Sequence, residues 1–484
     1  MKNYYDMVII GAGPAGLTLA HCCSQVGLNI LVIDREKTIG GCHRVIRTRD
    51  GLFTEHSPRI YLSNYVNVFH ILSELGLKKE DVFVPYKYNT LDIIKKLLPY
   101  IHVHEIFAII FAYLIYLFNQ NHGYTTSLKE FCVSNQFSDI MIEKLDRICR
   151  VVDGTDINKY SLNKILSVID LPNSILQPKE PLDKSLFKRW KTYLESRNVD
   201  FALGHEVSYI HYNKTIKRID YIVLDNKHII HFNNLVFAIP PANISKLLKN
   251  NKDISNAFGN YPDFHEWSED TEYNEYISMT FHYKQKIELP NVNGITLDTD
   301  WGIVVIALTD YMGHIEDDYK TVLSISITLP DAKSSNIDKT ANQSTKEEIF
   351  NEVYRQIKGS IYPNLPDDYH AILNPNQYYE NNQWKSHDDA YFNTVGTQYI
   401  PFRSNQIPNL YNVGTHNGKS YIDYTTMESA VSNAMVLSYH LYPQLRQRYY
   451  LRKTFRLRDI IYLIMISILI IIIIWYMVKI LRTI

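Results

Sequence analysis

Cysteine is scarce in this chain: there are five in 484 residues (Cys22, Cys23, Cys42, Cys132 and Cys149), with no CxxC pair and no partnering histidine spacing. That leaves no disulfide framework and no zinc site, and it fits a reducing compartment. Neither sign of charge is in excess, since 50 basic residues face 51 acidic ones, so nucleic acid has no electrostatic footprint here. His102 and His104, two residues apart, do not share a helical face and make no metal pair. There is no internal repeat, and the one long polar stretch, Asp331 to Thr345, reads as a loop. The 37 tyrosines accompany an abundance of Asn, Ile and Lys along the whole chain, so they do not argue one by one for stacking platforms. No signal peptide is expected, because Met1 leads directly into a strand pattern. A chain of 484 residues is too long for one core and points to two interleaved domains with appendages.

What is present is concentrated at the start. Val8-Ile9-Ile10 runs into Gly11-Ala12-Gly13-Pro14-Ala15-Gly16, an apolar-faced helix follows, and a second apolar run from Ile30 to Ile33 ends in Asp34. Strand, glycine turn, helix, strand and acid in this order form a dinucleotide-binding fingerprint. Gly11 permits the tight turn, Gly13 lets backbone approach a pyrophosphate, and Gly16 lets the helix pack close to the sheet. The pyrophosphate would sit on the helix N-terminus, where unpaired N–H groups and the dipole favour an anion. Asp34 can accept hydrogen bonds from both hydroxyls of an adenosine ribose.

Gly40-Gly41 and Arg44 follow just after the second strand, and with them the sequence resembles the flavoprotein superfamily of amine oxidases, protoporphyrinogen oxidases and carotenoid desaturases. The segment Leu52 to Arg59 (LFTEHSPR) is similar to the E-x-G-P-R segment of protoporphyrinogen oxidases, with Ser57 in place of the glycine. Leu203 to Val207 and Leu235 to Pro241 look like strands returning to the FAD domain. Asn409 to Gly414, then Thr426 to Ala430, resemble the closing motif, where a helix N-terminus meets the flavin ring. The resemblance implies FAD, held non-covalently since no cysteine lies near the C-terminus. It assigns cofactor contacts to Gly11, Gly13, Pro14, Ala15, Gly16, Asp34, Arg35, Gly40, Gly41 and Arg44. Further along, it adds Val207, Gly414, Thr415, Met427 and Glu428. Two departures stand out: Thr415 follows the closing glycine where the family usually has an acid, and Ser278 falls where amine oxidases commonly keep a Lys. Lys284 and Lys286 come later and are expected outside the pocket.

The nineteen residues from Ile460 to Val478 carry no charge. As a helix they span about 28 Å, enough for a hydrocarbon core, and Trp475 and Tyr476 sit where an interfacial aromatic belt would fall. Arg446, Arg448, Arg452, Lys453, Arg456 and Arg458 precede this run, against Lys479 and Arg482 beyond it. The expectation is a single-pass tail anchor with the catalytic body facing the cytoplasm. A second apolar run, Ile106 to Phe118, is too short to span and is expected as a buried helix of the substrate domain. The alternative is a membrane-dipping helix at the mouth of the active site.

The expected architecture is α/β. A Rossmann-type FAD-binding domain is built from separated segments (1–80, 200–250 and 400–440). It is interleaved with a mixed sheet-plus-helix substrate domain (81–199 and 251–399), followed by a basic stalk (441–458) and one C-terminal transmembrane helix (460–478). The expected chemistry is hydride abstraction from a C–H or C–N bond of a small, apolar substrate, with dioxygen or another acceptor reoxidising the flavin. Candidate catalytic side chains are His56, Arg59, Tyr61, Trp384, His387 and Tyr421. Alternatives are an amine oxidase, a non-redox flavoenzyme resembling UDP-galactopyranose mutase, and a non-catalytic FAD-binding membrane protein.

Overall fold

The computed structural model describes residues 2–88, 95–171, 174–271, 276–289, 298–313, 315, 318–388, 390–422 and 424–481; Arg482 lies outside them. Strand β1 (Tyr4–Ile10), helix α1 (Pro14–Ser24) and strand β2 (Ile30–Asp34) form the opening unit. The central sheet is completed by β3 (Val199–Leu203), β4 (Val207–Asn213), β5 (Arg218–Leu224), β6 (Ile229–Phe237) and, far downstream, Leu410–Asn412. Its order is β3-β2-β1-β6-β5-β4. The first four strands run parallel, and β5 and β4 return as an antiparallel meander. The first half of β6 pairs with β5, while its second half (Leu235 to Phe237) pairs in parallel with Leu410–Asn412. β1 and β2 are apolar nearly throughout because both their faces are covered, as parallel sheets require. Every residue of α1 is buried, which explains its small and thiol side chains.

A second sheet carries β7 (Ile277–Tyr283), β8 (Ile303–Ala307), β9 (Thr321–Ile327) and β10 (His370–Leu373), all antiparallel, in the order β8-β9-β7-β10. Period-two alternation divides β7. Ile277, Met279, Phe281 and Tyr283 pack into an apolar core with the helix Lys346–Ser360. Ser278, Thr280 and His282 face the opposite way and are buried as well. That second face meets the hairpin of Val45–Arg47 and Phe53–Glu55, where the Thr280 hydroxyl donates to the Phe53 carbonyl at 3.2 Å. The hydroxyl-rich face of this sheet is thus turned toward the opening unit.

Helix α2 (Val66–Glu74) packs on the first domain, and α3 (Val103–Phe118) and α4 (Leu162–Ile169) belong to a helical layer with its own core around Tyr116, Leu128, Cys132, Tyr160 and Leu166. The expectation of a buried Ile106–Phe118 helix is overturned. Only Glu105, Ala112, Tyr116 and Leu117 of α3 are buried, while Phe107, Phe111 and Phe118 are 65%, 66% and 74% exposed. A core helix needs one apolar stripe, and this helix is apolar on every face from Ile106 on, so packing one side leaves the other uncovered. After α5 (Met427–Leu441), basic residues of the 441–458 segment, expected as a stalk, pack against the body. Arg448 pairs with Glu74 at 2.5 Å, the Arg452 N–H donates to Asn67 at 3.0 Å, and Arg456 and Arg458 both reach Asp170. The last helix, α6 (Leu457–Leu481), contains a span from Leu457 to Ile480 that is long and apolar enough to cross a membrane and has none of its apolar window buried.

Candidate active site

At the C-terminal ends of β1 and β2, three glycines answer three different demands. A Cβ on Gly11, which sits at φ +112°, would lie 2.3 Å from the Ala238 carbonyl oxygen, and one on Gly16 would lie 2.0 Å from the Gly11 carbonyl oxygen. The protein itself requires both. A Cβ on Gly13 would meet only the Gly41 Cα, at 3.7 Å, so nothing among the described residues explains why this position is bare. Pro14 opens α1 at a position that needs no N–H, Ala15 follows in the same buried turn, and no side chain caps the helix. Gly40 and Gly41, at φ +120° and +55°, fold their loop against Gly13, and the Gly40 N–H donates to the Ala12 carbonyl at 2.8 Å. The result is a cradle of bare backbone over an uncapped helix N-terminus, which suits a pyrophosphate. Asp34 closes it, accepting from the Ala12 N–H at 2.7 Å and the Glu36 N–H at 2.9 Å. Burial pushes its carboxyl up, opposed by those two N–H groups. The loop leading to Val207 runs alongside, with the His205 N–H on the Asp34 carbonyl at 3.1 Å.

Two arginines assigned to the cofactor have partners within the chain. Arg44 is buried, donates to Asp388 at 2.5 Å and to the Gly41 carbonyl at 2.9 Å, and lies 3.3 Å from Glu36. Arg35 donates to the His387 carbonyl. Asp388 also faces His56, at 3.6 Å. Burial opposes its charge, but His56 and Arg44 together hold the Asp388 carboxyl well below the usual range. Burial pushes the His56 imidazole down. This clasp joins the Gly40–Arg44 loop to residues 387–388, and sequence reading missed it because Asp388 carries no local signal.

The closing segment likewise splits. Gly414 donates its N–H to Asn417 at 2.8 Å, and Thr415 starts a short turn beside it. Met427 is buried in the first turn of α5, which Thr426 caps. Glu428, expected on the cofactor, instead accepts from the Asn67 N–H at 3.0 Å and the Val68 N–H at 2.9 Å, capping the N-terminus of α2, whose first N–H groups have no partner within the helix. Tyr421, a catalytic candidate, sits beside the segment that precedes α6. Its ring is 37% exposed with the Lys453 ammonium 5.9 Å from its centre, and its carbonyl takes a hydrogen bond from Arg456.

Arg59 and Tyr61 are brought together. They line a small cavity of about 20 Å³, room for about one water molecule, between the glycine loop, the Phe53–Glu55 strand and the second sheet. His43, Glu55, Gln177 and Tyr311 share it. Tyr61 and His43 are 3.1 Å apart, Arg59 donates to the Cys42 carbonyl, and Gln177 donates to the Arg59 carbonyl at 2.9 Å. Burial pushes the Glu55 carboxyl up to about 7, and pushes the His43 imidazole well down. Sequence reading passed over Glu55, although a signal existed: on a short strand it shares a face with buried Phe53, and a carboxylate on an apolar face is unusual. Trp384 lies outside this group, on a hairpin where its indole N–H donates to the Ser344 carbonyl at 3.2 Å and its ring meets Tyr379. His387 stacks on Tyr378 at 4.2 Å. Ser278 shares a hydrogen bond with Ser326 at 2.8 Å, and Lys284 and Lys286 are exposed. Among the described residues, no group of three or more His, Cys, Asp or Glu side chains could hold a metal.

Residues 9–75 match the family model of the NAD(P)-binding Rossmann-like domain. The chain is 32% identical over 85 residues to a digeranylgeranylglycerophospholipid reductase from Methanosarcina acetivorans, a stretch covering 18% of this chain and 19% of that protein. It is 32% identical over 76 residues to a 15-cis-phytoene desaturase from an Oncidium hybrid cultivar, covering 16% and 13%. These matches span less than a fifth of either relative. Among solved structures, putrescine oxidase bound to putrescine superposes with a TM-score of 0.62 at 13% identity, over 91% of this chain and 99% of that one. The chain thus carries a Rossmann-like dinucleotide-binding domain within a fold shared with putrescine oxidase.

Proposed function

We propose that this protein is a membrane-anchored FAD-dependent oxidoreductase acting on a C–H or C–N bond of a small, largely apolar substrate. The observation that carries the reading is Gly13, bare where the chain does not require it and set over the uncapped N-terminus of α1. Gly11 to Gly16 and Gly40–Gly41 would hold the pyrophosphate without a covalent link, and Asp34 the adenosine ribose. When bound, the flavin supplies the hydride acceptor, with dioxygen or another acceptor taking the electrons on. In the cavity, Glu55 has a carboxyl poised near neutrality and holds the substrate proton, while Arg59 and Tyr61 orient the substrate's polar end. Val45, Phe53, Leu308 and Met312 supply the apolar walls and exclude water. α6 anchors the protein, and the arginines preceding it keep the body on the cytoplasmic side.

Two alternatives are weaker. Oxidation of simple primary amines is disfavoured by Ser278, which stands in β7 where the resemblance places a Lys. A mutase acting on a nucleotide sugar calls for several arginines, and among the described residues Arg59 is the one guanidinium lining the cavity. The test begins with the purified protein, which should be yellow and release FAD on acid treatment. Gly13→Val should remain folded and lose the FAD, because its side chain fills the pyrophosphate position. A folded, colourless wild type that ignores added FAD would overturn the proposal. Rapid bleaching of the flavin by primary amines would move amine oxidation to first place.

A further inference from the structure

We infer that α3 is a second membrane contact, a helix lying in the plane of the bilayer surface and fixed there by its attachment to the base of α6. This inference rests on the proposed anchoring by α6. The observation is a continuous apolar stripe: Val103, Ile106, Phe107, Ile110, Phe111, Leu114 and Phe118 are between 40% and 74% exposed, at the helical spacing that puts them on one face. Monomeric proteins rarely leave so large an apolar face in water, and an interfacial helix buries one at the boundary of headgroups and acyl chains.

What identifies the occupant as lipid is the position of this helix relative to α6. The Tyr462 hydroxyl donates to the Leu117 carbonyl, and the Arg458 guanidinium lies 5.9 Å from the Tyr116 ring centre. Tyr462 is two residues, about 3 Å along the axis, inside the uncharged run that begins at Ile460. The C-terminal turn of α3 therefore lies at the depth where α6 enters hydrocarbon. The joint is braced by Asp170, fully buried at the end of α4. Asp170 accepts from the Tyr113 hydroxyl of α3 at 3.0 Å and the Arg458 N–H at 2.9 Å, and it lies 3.5 Å from Arg456 and 3.4 Å from Arg458. One buried carboxylate thus ties both apolar helices to the body, so α6 cannot enter a membrane without bringing the stripe of α3 to its surface.

The test uses the full chain in phosphatidylcholine–phosphatidylserine vesicles, with a nitroxide placed singly by Phe107→Cys or Phe111→Cys. Ile471→Cys reports the spanning helix and Ile229→Cys reports water. Each label is read by its collision rate with oxygen, which favours lipid, and with a nickel chelate, which favours water. Labels at 107 and 111 should gain oxygen access and lose nickel access relative to 229. Nickel access at 111 equal to that at 229, with 471 in lipid, would overturn the role of α3 alone. Nickel access at 471 would remove the anchor reading itself. Loss of both oxygen and nickel access at 111 would mean that protein, such as a second copy of this chain, covers the face, and would also overturn the inference. Tyr462→Phe and Asp170→Asn, checked for retained melting, should raise nickel access at 111 while leaving 471 in lipid. No change at 111 in either variant would overturn the brace.

Discussion

The nucleotide cradle is made of backbone from two short stretches, Gly11 to Gly16 and Gly40–Gly41, whereas the cavity beside it is made of side chains that converge from residues 43 to 312. In the cradle, glycines remove side chains so that main chain can approach main chain or ligand. In the cavity, burial changes the chemistry of the groups that remain, as with the Glu55 carboxyl and the His43 imidazole. The first kind of site fails by steric clash and the second by loss of a charge or a proton. Substitutions should therefore fall into two classes that different measurements detect.

Gly16→Val tests the steric class most severely. With its Cβ 2.0 Å from a backbone oxygen, α1 cannot dock on β1, and no cooperatively melting protein is expected. Asp388→Asn comes next, because it strips a buried partner from Arg44. Breaking such a pair costs about 3–5 kcal/mol, which a denaturant midpoint would report. The pH sign follows from the lowered carboxyl of Asp388. Its contribution is complete above the unfolded value of about 4 and fades as pH falls below it. Wild type should lose its advantage over Asp388→Asn in acid, and an equal gap at pH 3 and pH 7 would contradict the assignment.

Glu55→Gln sharpens the other side. Loss of a general base should lower kcat/KM by about a hundredfold or more and abolish the rise in rate through pH 7. Because the folded Glu55 carboxyl is raised above its unfolded value, the folded state holds an extra proton between about pH 4 and 7 and loses stability as pH rises through that window. The variant should accordingly melt higher than wild type at pH 8 and equal to it at pH 4. The smallest effect belongs to Trp384→Phe, which deletes a hydrogen bond to the Ser344 carbonyl at a cost of about 1 kcal/mol and should leave kcat unchanged. A large fall in kcat there would place Trp384 back among the catalytic candidates.

Sequence made the cradle legible because its logic is local: three glycines, a helix start and an acid within residues 11–34. Of the two segments that the resemblance read as returning strands, Leu235 to Phe237 lies in β6, whereas Leu203 to Val207 proves to be the turn between β3 and β4. Arg35, Arg44 and Glu428 were assigned to the cofactor by resemblance, and their partners His387, Asp388 and Asn67, far away along the chain, were not legible in the sequence. Period-two alternation could have raised Glu55, since Phe53 marks its face as buried. Helix α3 misled for the opposite reason. Its length excluded a crossing, but composition alone does not say how much of an apolar helix the fold will cover.

The order in which the central sheet is sewn together bears on how this protein is made. β1 and α1 are made long before α5, which packs directly on α1. Contacts between distant parts of a chain form slowly and leave apolar surface exposed in the meantime. β1 and β2 find their partners β6 and β3 by mid-chain, but α1 must wait, uncovered on one side, until α5 is made, and α6 follows soon after it. Completion of the first domain and exposure of the long apolar helix α6 consequently become nearly simultaneous events, so whatever shields α6 would also be present when α1 is covered.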